Sequence, residues 1–365
     1  MKVDGVPYHS IQVNADGWSV DIIDQTRLPH EFALSNLHTL EQACRAIRDM
    51  QVRGAPLIGA TAAYGFYLAM RADPSDTGME IAYRQLFATR PTAVNLRWAL
   101  DRLRAALLPC LPAERAAHAF ADAAKIVDLD IDTNRAIGQH GVELIRQIAS
   151  TMKPGQPVNI LTHCNAGWLA TVDWGTATSP IYQAHDAGIP IHVWVDETRP
   201  RNQGASLTAW ELRHHGVPHS LVVDNLGGHL MQHGMVDLCL VGSDRTTRNG
   251  DVCNKIGTYL KALAAKDNGV PFYVCLPSTT IDWNCADGVR EIPIEQRDRD
   301  EVLWVSGRLA DDSSASVCIA PADTPVANYA FDVTPARLVS GLITERGIVA
   351  ATPQDLAEAF PDHAS

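Results

Sequence analysis

No two of the eight cysteines are spaced as C-x-x-C, and eight thiols in 365 residues are too dilute for a disulfide scaffold. Zinc-ribbon and thioredoxin-type readings are thereby excluded, and the thiols are expected to be reduced, as in a cytoplasmic protein. Basic charge is also short. The 30 Lys and Arg stand against 42 Asp and Glu, a formal net charge of −12. A nucleic-acid surface needs a concentrated basic face, so no nucleic-acid partner is expected. An anionic small molecule stays open, because a few local cations and backbone N–H groups suffice to bind a phosphate. No apolar run is long enough to span a bilayer, and the opening stretch MKVDGVPYHS lacks a signal-peptide core, so no membrane partner is expected. Neither a Walker sequence nor a G-x-G-x-x-G after the first strand is present, which leaves nucleotide binding without support.

What is present is a recurring punctuation. Gly155-Gln156-Pro157 precedes VNILTHC, Gly188-Ile189-Pro190 precedes IHVWVDE, Gly216-Val217-Pro218 precedes HSLVVDN, and Gly269-Val270-Pro271 precedes FYVCLP. A glycine that ends a helix, a proline that cannot continue it and a β-rich apolar run mark the helix-to-strand junction of an α/β unit. A further run, VDLCLVGSD, fits the same sheet. Near-continuous apolar strands separated by helix-length segments predict a parallel sheet covered on both faces. The first half differs. TLEQACRAIRDMQV has helical spacing with Thr39 and Gln42 placed as a capping box, the alanine-rich stretch from Ala113 to Ala149 reads as helix, and GWSVDIID alternates like a strand. The expected fold class is α/β: a mainly helical N-terminal domain with a small β-sheet (1–145), then a Rossmann-like, doubly wound parallel-sheet domain (146–365).

Ligands of open parallel sheets bind beyond the carboxyl ends of the strands. There the sequence places His163, Cys164 and Asn165; then Asp196 to Arg199 and Gln203; then Asp224 and Asn225; then Ser243, Asp244 and Arg245. Each alone could merely form a turn or cap a helix, but four such strand ends together point to an active site. Two segments carry anion logic: Arg53 and Gly54 ahead of a small-residue helix, and Asn254 with Lys255 near the start of another. Cys164 closes a strand ahead of a turn, where a helix N-terminus would favour a thiolate. The clustered His214, His215, His219, His229 and His233 match no zinc spacing, so no metal is expected.

VRGAPLIGATAAYG, RPTAVNL, ILTHCNAGWLAT, VWVDETRPRNQGASLTAWEL, VGSDRTTRNGDVCNKIGTY, DGVREIPIEQRD and FDVTPARLVSGLITERG run in order along the chain. Together they resemble the 5-methylthioribose-1-phosphate isomerase family, which is related to ribose-1,5-bisphosphate isomerases and to regulatory subunits of translation initiation factor 2B. The resemblance implies a cofactor-free aldose–ketose isomerase of methionine salvage, a homodimer acting on a small-molecule sugar phosphate. It assigns catalysis to Asp244 and Cys164, and substrate binding to Arg53, Gly54, Ala55, Arg90, Gln203, Asn254 and Lys255. Trp168, Trp174, Trp194 and Trp210 resemble a bacterial subgroup that also takes 5-deoxyribose 1-phosphate. Ribose-1,5-bisphosphate isomerase and a non-catalytic, sugar-phosphate-sensing regulatory subunit are the alternatives.

Overall fold

A computed structural model describes residues 1–91, 93–321 and 323–363. The chain opens with a short hairpin, β1 (Lys2–Val3) and β2 (Val6–Pro7), then an antiparallel sheet of β3 (Ile11–Val13), β4 (Val20–Ile23) and β5 (Leu34–Leu37). Five helices follow: α1 (Leu40–Arg48), α2 (Ala55–Ala72), α3 (Asp76–Thr89), α4 (Val94–Leu107) and α5 (Pro112–Ser150). α1 starts where the sequence places its cap: the Thr39 side chain accepts from Gln42 N–H, and the Gln42 side chain accepts from the Thr39 N–H. α2 is apolar on nearly every side and forms the centre of the first core, with Leu57, Phe66 and Met70 fully enclosed.

α5 is the structural bridge. Its first half, through Ile126 and Val127, packs in the core around α2, and its second half, Ile137 to Ile145, packs in the core beneath the large sheet. Residue 145, the expected division between domains, lies inside this helix.

Beyond it come β6 (Val158–Thr162), α6 (Thr178–Asp186), β7 (Ile191–Asp196), α7 (Ala209–His215), β8 (His219–Val222), α8 (Leu226–Gln232) and β9 (Leu238–Val241). The Gly-x-Pro junctions fall where the sequence puts them; Gly216, for example, takes the left-handed conformation (φ 81) that ends α7 just ahead of β8. A side sheet intervenes, formed by β10 (Arg245–Thr247) and β11 (Val252–Lys255), and is completed later by β13 (Ile281–Asp282) and β16 (Phe331–Thr334). Between its parts lie α9 (Thr258–Asp267), β12 (Phe272–Cys275) and an outlying hairpin of β14 (Trp304–Arg308) and β15 (Ser314–Cys318). β17 (Gly341–Thr344) and β18 (Gly347–Val349) finish the main sheet.

That main sheet runs β18-β17-β12-β9-β6-β7-β8, parallel throughout except for the β17–β18 edge hairpin. Counting its parallel strands along the chain gives the order 3-2-1-4-5-6 of a dinucleotide-fold sheet. The order reverses between β6 and β9, where Ile160 pairs with Leu238 and Leu161 with Cys239. The chain therefore leaves the sheet from two adjacent strand ends at this switch point, carrying Cys164 on one and Asp244 on the other. No helix among the described residues is long and apolar enough to cross a membrane.

Candidate active site

The switch point opens on a cavity of about 70 Å³ lined by Arg53, Arg90, Cys164, Gln203, Asp244 and Lys255, with Ile58, Ala93, Ile292, Pro293 and Phe331 as its apolar wall. A deeper compartment of about 30 Å³ adds Asn165, Ser243 and Asn254, and shares Arg53, Gly54, Ala55, Cys164 and Asp244 with the first. A wider vestibule of about 650 Å³ lies outside, joined to the inner cavity through Met50, Arg53 and Gln203. All nine residues singled out in the sequence thus line the two inner compartments.

Cys164 is buried and sits at φ 63, with its N–H donating to Thr198 Oγ1 (2.8 Å) and its carbonyl accepting from Thr208 Oγ1 (2.6 Å). The expected α-helix start does not follow it directly: the chain makes only a single 3-10 turn at Trp168–Ala170, and α6 begins at Thr178. Burial pushes the thiol up, not down, with Arg53 and Lys255 opposing and Asp244 reinforcing. Asp244 is partly exposed and lines both inner compartments; its N–H donates to the Cys253 carbonyl at 3.0 Å. Burial raises its carboxyl above the usual range against the pull of Lys255, Arg53 and Arg90.

Arg53 is held on two points of Asn165, donating from Nη1 to Oδ1 (2.5 Å) and from Nη2 to the backbone carbonyl (2.9 Å). Gly54 then opens α2 at φ 91, where a Cβ would stand 2.4 Å from the Ala170 carbonyl oxygen. Ala55 begins the helix and lines both inner compartments, bringing the first turn of α2 to the cavity, with Pro56 next to it carrying no N–H. Arg90 closes α3 and lies 3.6 Å from Glu295. Asn254 and Lys255 stand at the end of strand β11, a short turn ahead of α9, near the helix start that the sequence places after them. Asn254 donates to Thr258 Oγ1 (3.0 Å), and the Lys255 ammonium lies 4.5 Å from the centre of the Phe331 ring. Gln203 is 5% exposed, and its Oε1 has no hydrogen-bond partner among the described residues.

His163 lines the deeper compartment beside Cys164, but both of its ring nitrogens are engaged by the protein. Its Nε2 lies 2.8 Å from the Ile256 carbonyl and must carry the proton, while Nδ1 lies 3.2 Å from Asp196 Oδ2. Burial and Lys261 hold its pKa well below the ordinary imidazole value. His163, Asp196 and Asp224 gather donor atoms within 4.8 Å, a set that could hold a metal. The Lys261 ammonium already supplies positive charge there, 2.8 Å from Asp196 Oδ2 and donating to the Asp224 carbonyl at 3.0 Å. The tryptophans do not line the inner compartments; Trp168 and Trp210 pack on each other in the core, and Trp194 donates to the Met235 carbonyl. Sequence reasoning gave no signal for Lys261 or Glu211, whose importance comes only from what surrounds them.

The model of the initiation factor 2 subunit family matches residues 51–351. Methylthioribose-1-phosphate isomerases of Brucella anthropi and Rhizobium meliloti are each 64% identical over 99% of this chain and 100% of their own length. The crystal structure of 5-methylthioribose 1-phosphate isomerase from Pyrococcus horikoshii is 39% identical with a TM-score of 0.84, covering 98% of this chain and 96% of that one. Translation initiation factor eIF-2B, subunit delta, from A. fulgidus is 37% identical with a TM-score of 0.80, over 97% of this chain and 100% of its own. With the switch-point sheet and near-full-length identity in agreement, the chain belongs to the initiation factor 2 subunit family and, within it, to the methylthioribose-1-phosphate isomerases.

Proposed function

We propose that this chain converts 5-methylthioribose 1-phosphate to 5-methylthioribulose 1-phosphate, as the names of its 64%-identical relatives imply. The observation that carries the reading is the meeting of Cys164 and Asp244 in one cavity with Arg53, Arg90 and Lys255. Three cations, the start of α2 and the Asn254 amide suit a phosphate dianion. The apolar wall of Ile58, Ala93, Ile292, Pro293 and Phe331 suits a methylthio group, and would accept the bare methyl of a 5-deoxy sugar as well.

An anomeric phosphate blocks spontaneous ring opening, so the ring oxygen must be protonated while the phosphate stays attached. Asp244, whose carboxyl is raised above the usual range by desolvation against the pull of Lys255, Arg53 and Arg90, donates that proton as the bond from C1 to the ring oxygen breaks. The electron deficiency at C1 is shared with the ester oxygen. A hydride then passes from C2 to C1, and the C2 hydroxyl returns a proton to Asp244 as C2 becomes the ketone. A second route also balances: Cys164 as thiolate removes the C2 proton to form an enediol and returns it to C1, while the C2 hydroxyl proton passes to Asp244. The raised thiol favours the hydride route, with Cys164 flanking C1 and C2.

Incubation with methylthioribose 1-phosphate should yield the ketose by NMR; no conversion would refute the assignment. Run in D₂O, the hydride route leaves C1 unlabelled, and substantial deuterium there would move the proposal to the enediol. A second phosphate, as in ribose 1,5-bisphosphate, would meet the apolar wall, and the vestibule cations Arg27 and Arg201 are already paired with Glu31 and Glu301. Identity of 64% to named isomerases, against 37% to the subunit named for initiation, supports catalysis over a regulatory role. The same reading makes the molecule a cytoplasmic homodimer; sedimentation should give twice the 39.7 kDa of the chain, and a monomer would refute it.

A further inference from the structure

One buried carboxylate is left unused by this mechanism. Glu211 on α7 is 1% exposed and lines neither inner compartment, yet it accepts four hydrogen bonds. They come from Asn165 Nδ2 (2.7 Å), Trp168 N–H (3.1 Å), Leu169 N–H (3.1 Å) and the Tyr182 hydroxyl (2.8 Å). Burial raises its carboxyl to about 7 despite these donors and Arg53. A carboxylate so costly to ionise is in place because no apolar or amide side chain could satisfy all four donors.

The four bonds converge on one target from two sides. With Asn165 Nδ2 committed to Glu211 and to Thr208 Oγ1 (3.2 Å), the amide oxygen has to face Arg53. The orientation of the amide thereby fixes the plane of the guanidinium. The Trp168 and Leu169 N–H groups start the turn whose Ala170 backbone seats Gly54. Gly167 keeps the approach open, since a Cβ there would fall 1.8 Å from Glu211 Oε2. Both the side chain of Arg53 and the backbone that follows it are therefore referenced to this one carboxylate.

We propose that Glu211 is a positioning residue that sets the pose of Arg53 toward the substrate phosphate, through Asn165 and the 168–170 turn. The proposal rests on the isomerase reading for the sugar, whereas its anion contact is readable with inorganic phosphate alone. Glu211→Gln keeps the volume but puts an amide N–H₂ against donors. It should raise both the KM for methylthioribose 1-phosphate and the calorimetric Kd for inorganic phosphate by about tenfold. In an Arg53→Lys background, where the two-point contact is already gone, the same substitution should change either constant by less than about twofold. Tyr182→Phe, which removes a donor without touching Asn165, should lower the melting temperature and leave both constants in place. If Glu211→Gln does not fold, Asn165→Ala, which leaves Glu211 three donors, should give the same rise. Unchanged constants in a folded variant, full additivity with Arg53→Lys, or no phosphate binding by the wild type would overturn the proposal. A wild type that binds phosphate but does not turn over the sugar would overturn the isomerase reading alone.

Discussion

Cys164 occupies the left-handed backbone region, which costs a non-glycine residue roughly 1–3 kcal/mol and persists only where the surroundings enforce it. Thr198 and Thr208 supply that enforcement through its N–H and carbonyl. Cys164→Ser keeps these backbone contacts, and Asp244→Asn keeps its shape, so both variants should fold normally and lose turnover by several orders of magnitude. Near-normal rates in either would remove it from the chemistry. The proposed ring-opening role makes the acid form of Asp244 the competent one, so turnover should fall as pH rises through its elevated pKa; a rate that climbs with pH would contradict that role. Gly54→Ala combines a forbidden φ with a collision against Ala170, and should destabilise the fold by about 2–4 kcal/mol in denaturant titration.

At the scale of elements, α5 ties the two cores together, and Asp130 in its middle accepts from the Val172 N–H at 2.7 Å. Burial raises that carboxyl from 3.8 to about 7. The folded protein therefore holds the proton more tightly than the unfolded chain. The resulting stabilisation is complete below pH 3.8 and is lost as pH rises toward 7. Melting temperature should decline across that window, and Asp130→Asn should flatten the decline; an identical slope in the variant would show that other groups carry it. The β11–α9 loop is pinned in the same local manner, by His163 donating to the Ile256 carbonyl and by Asp332 accepting from Gly257 and Tyr259 N–H groups. His163, adjacent to Cys164 in sequence, thus braces the segment that presents Lys255.

For the whole molecule, the eight cysteines are free, six of them buried, Cys110 half-buried and Cys318 exposed. A reductant should leave the melting temperature unchanged, and a thiol reagent should label Cys318 rapidly, Cys110 more slowly and the other six only on unfolding. Rapid labelling of Cys164 would show an open site. Much of this organisation was legible beforehand. The Gly-x-Pro junctions located β6, β7, β8 and β12, and the Thr39–Gln42 cap located α1, because turns and caps are short-range chemistry. Apolar strand runs gave the parallel sheet, and strand-end polarity gave Cys164, Asp244 and Gln203. Other features were decided only on folding. Asn254 and Lys255 sit on a strand because β16 pairs with β11 from far along the chain. The Cys164 thiol is raised because α2, the side sheet and the 168–170 turn close around it, and no local spacing encodes that burial. Glu211 matters for the same reason: its four donors come from the 165–169 turn and from Tyr182 on α6, both remote from it in sequence. The amino-acid sequence by itself determined the elements and their order, through periodicity and capping. The tertiary structure alone decided which strand ends adjoin and how dry the space between them is, because burial and charge are set by neighbours distant in sequence.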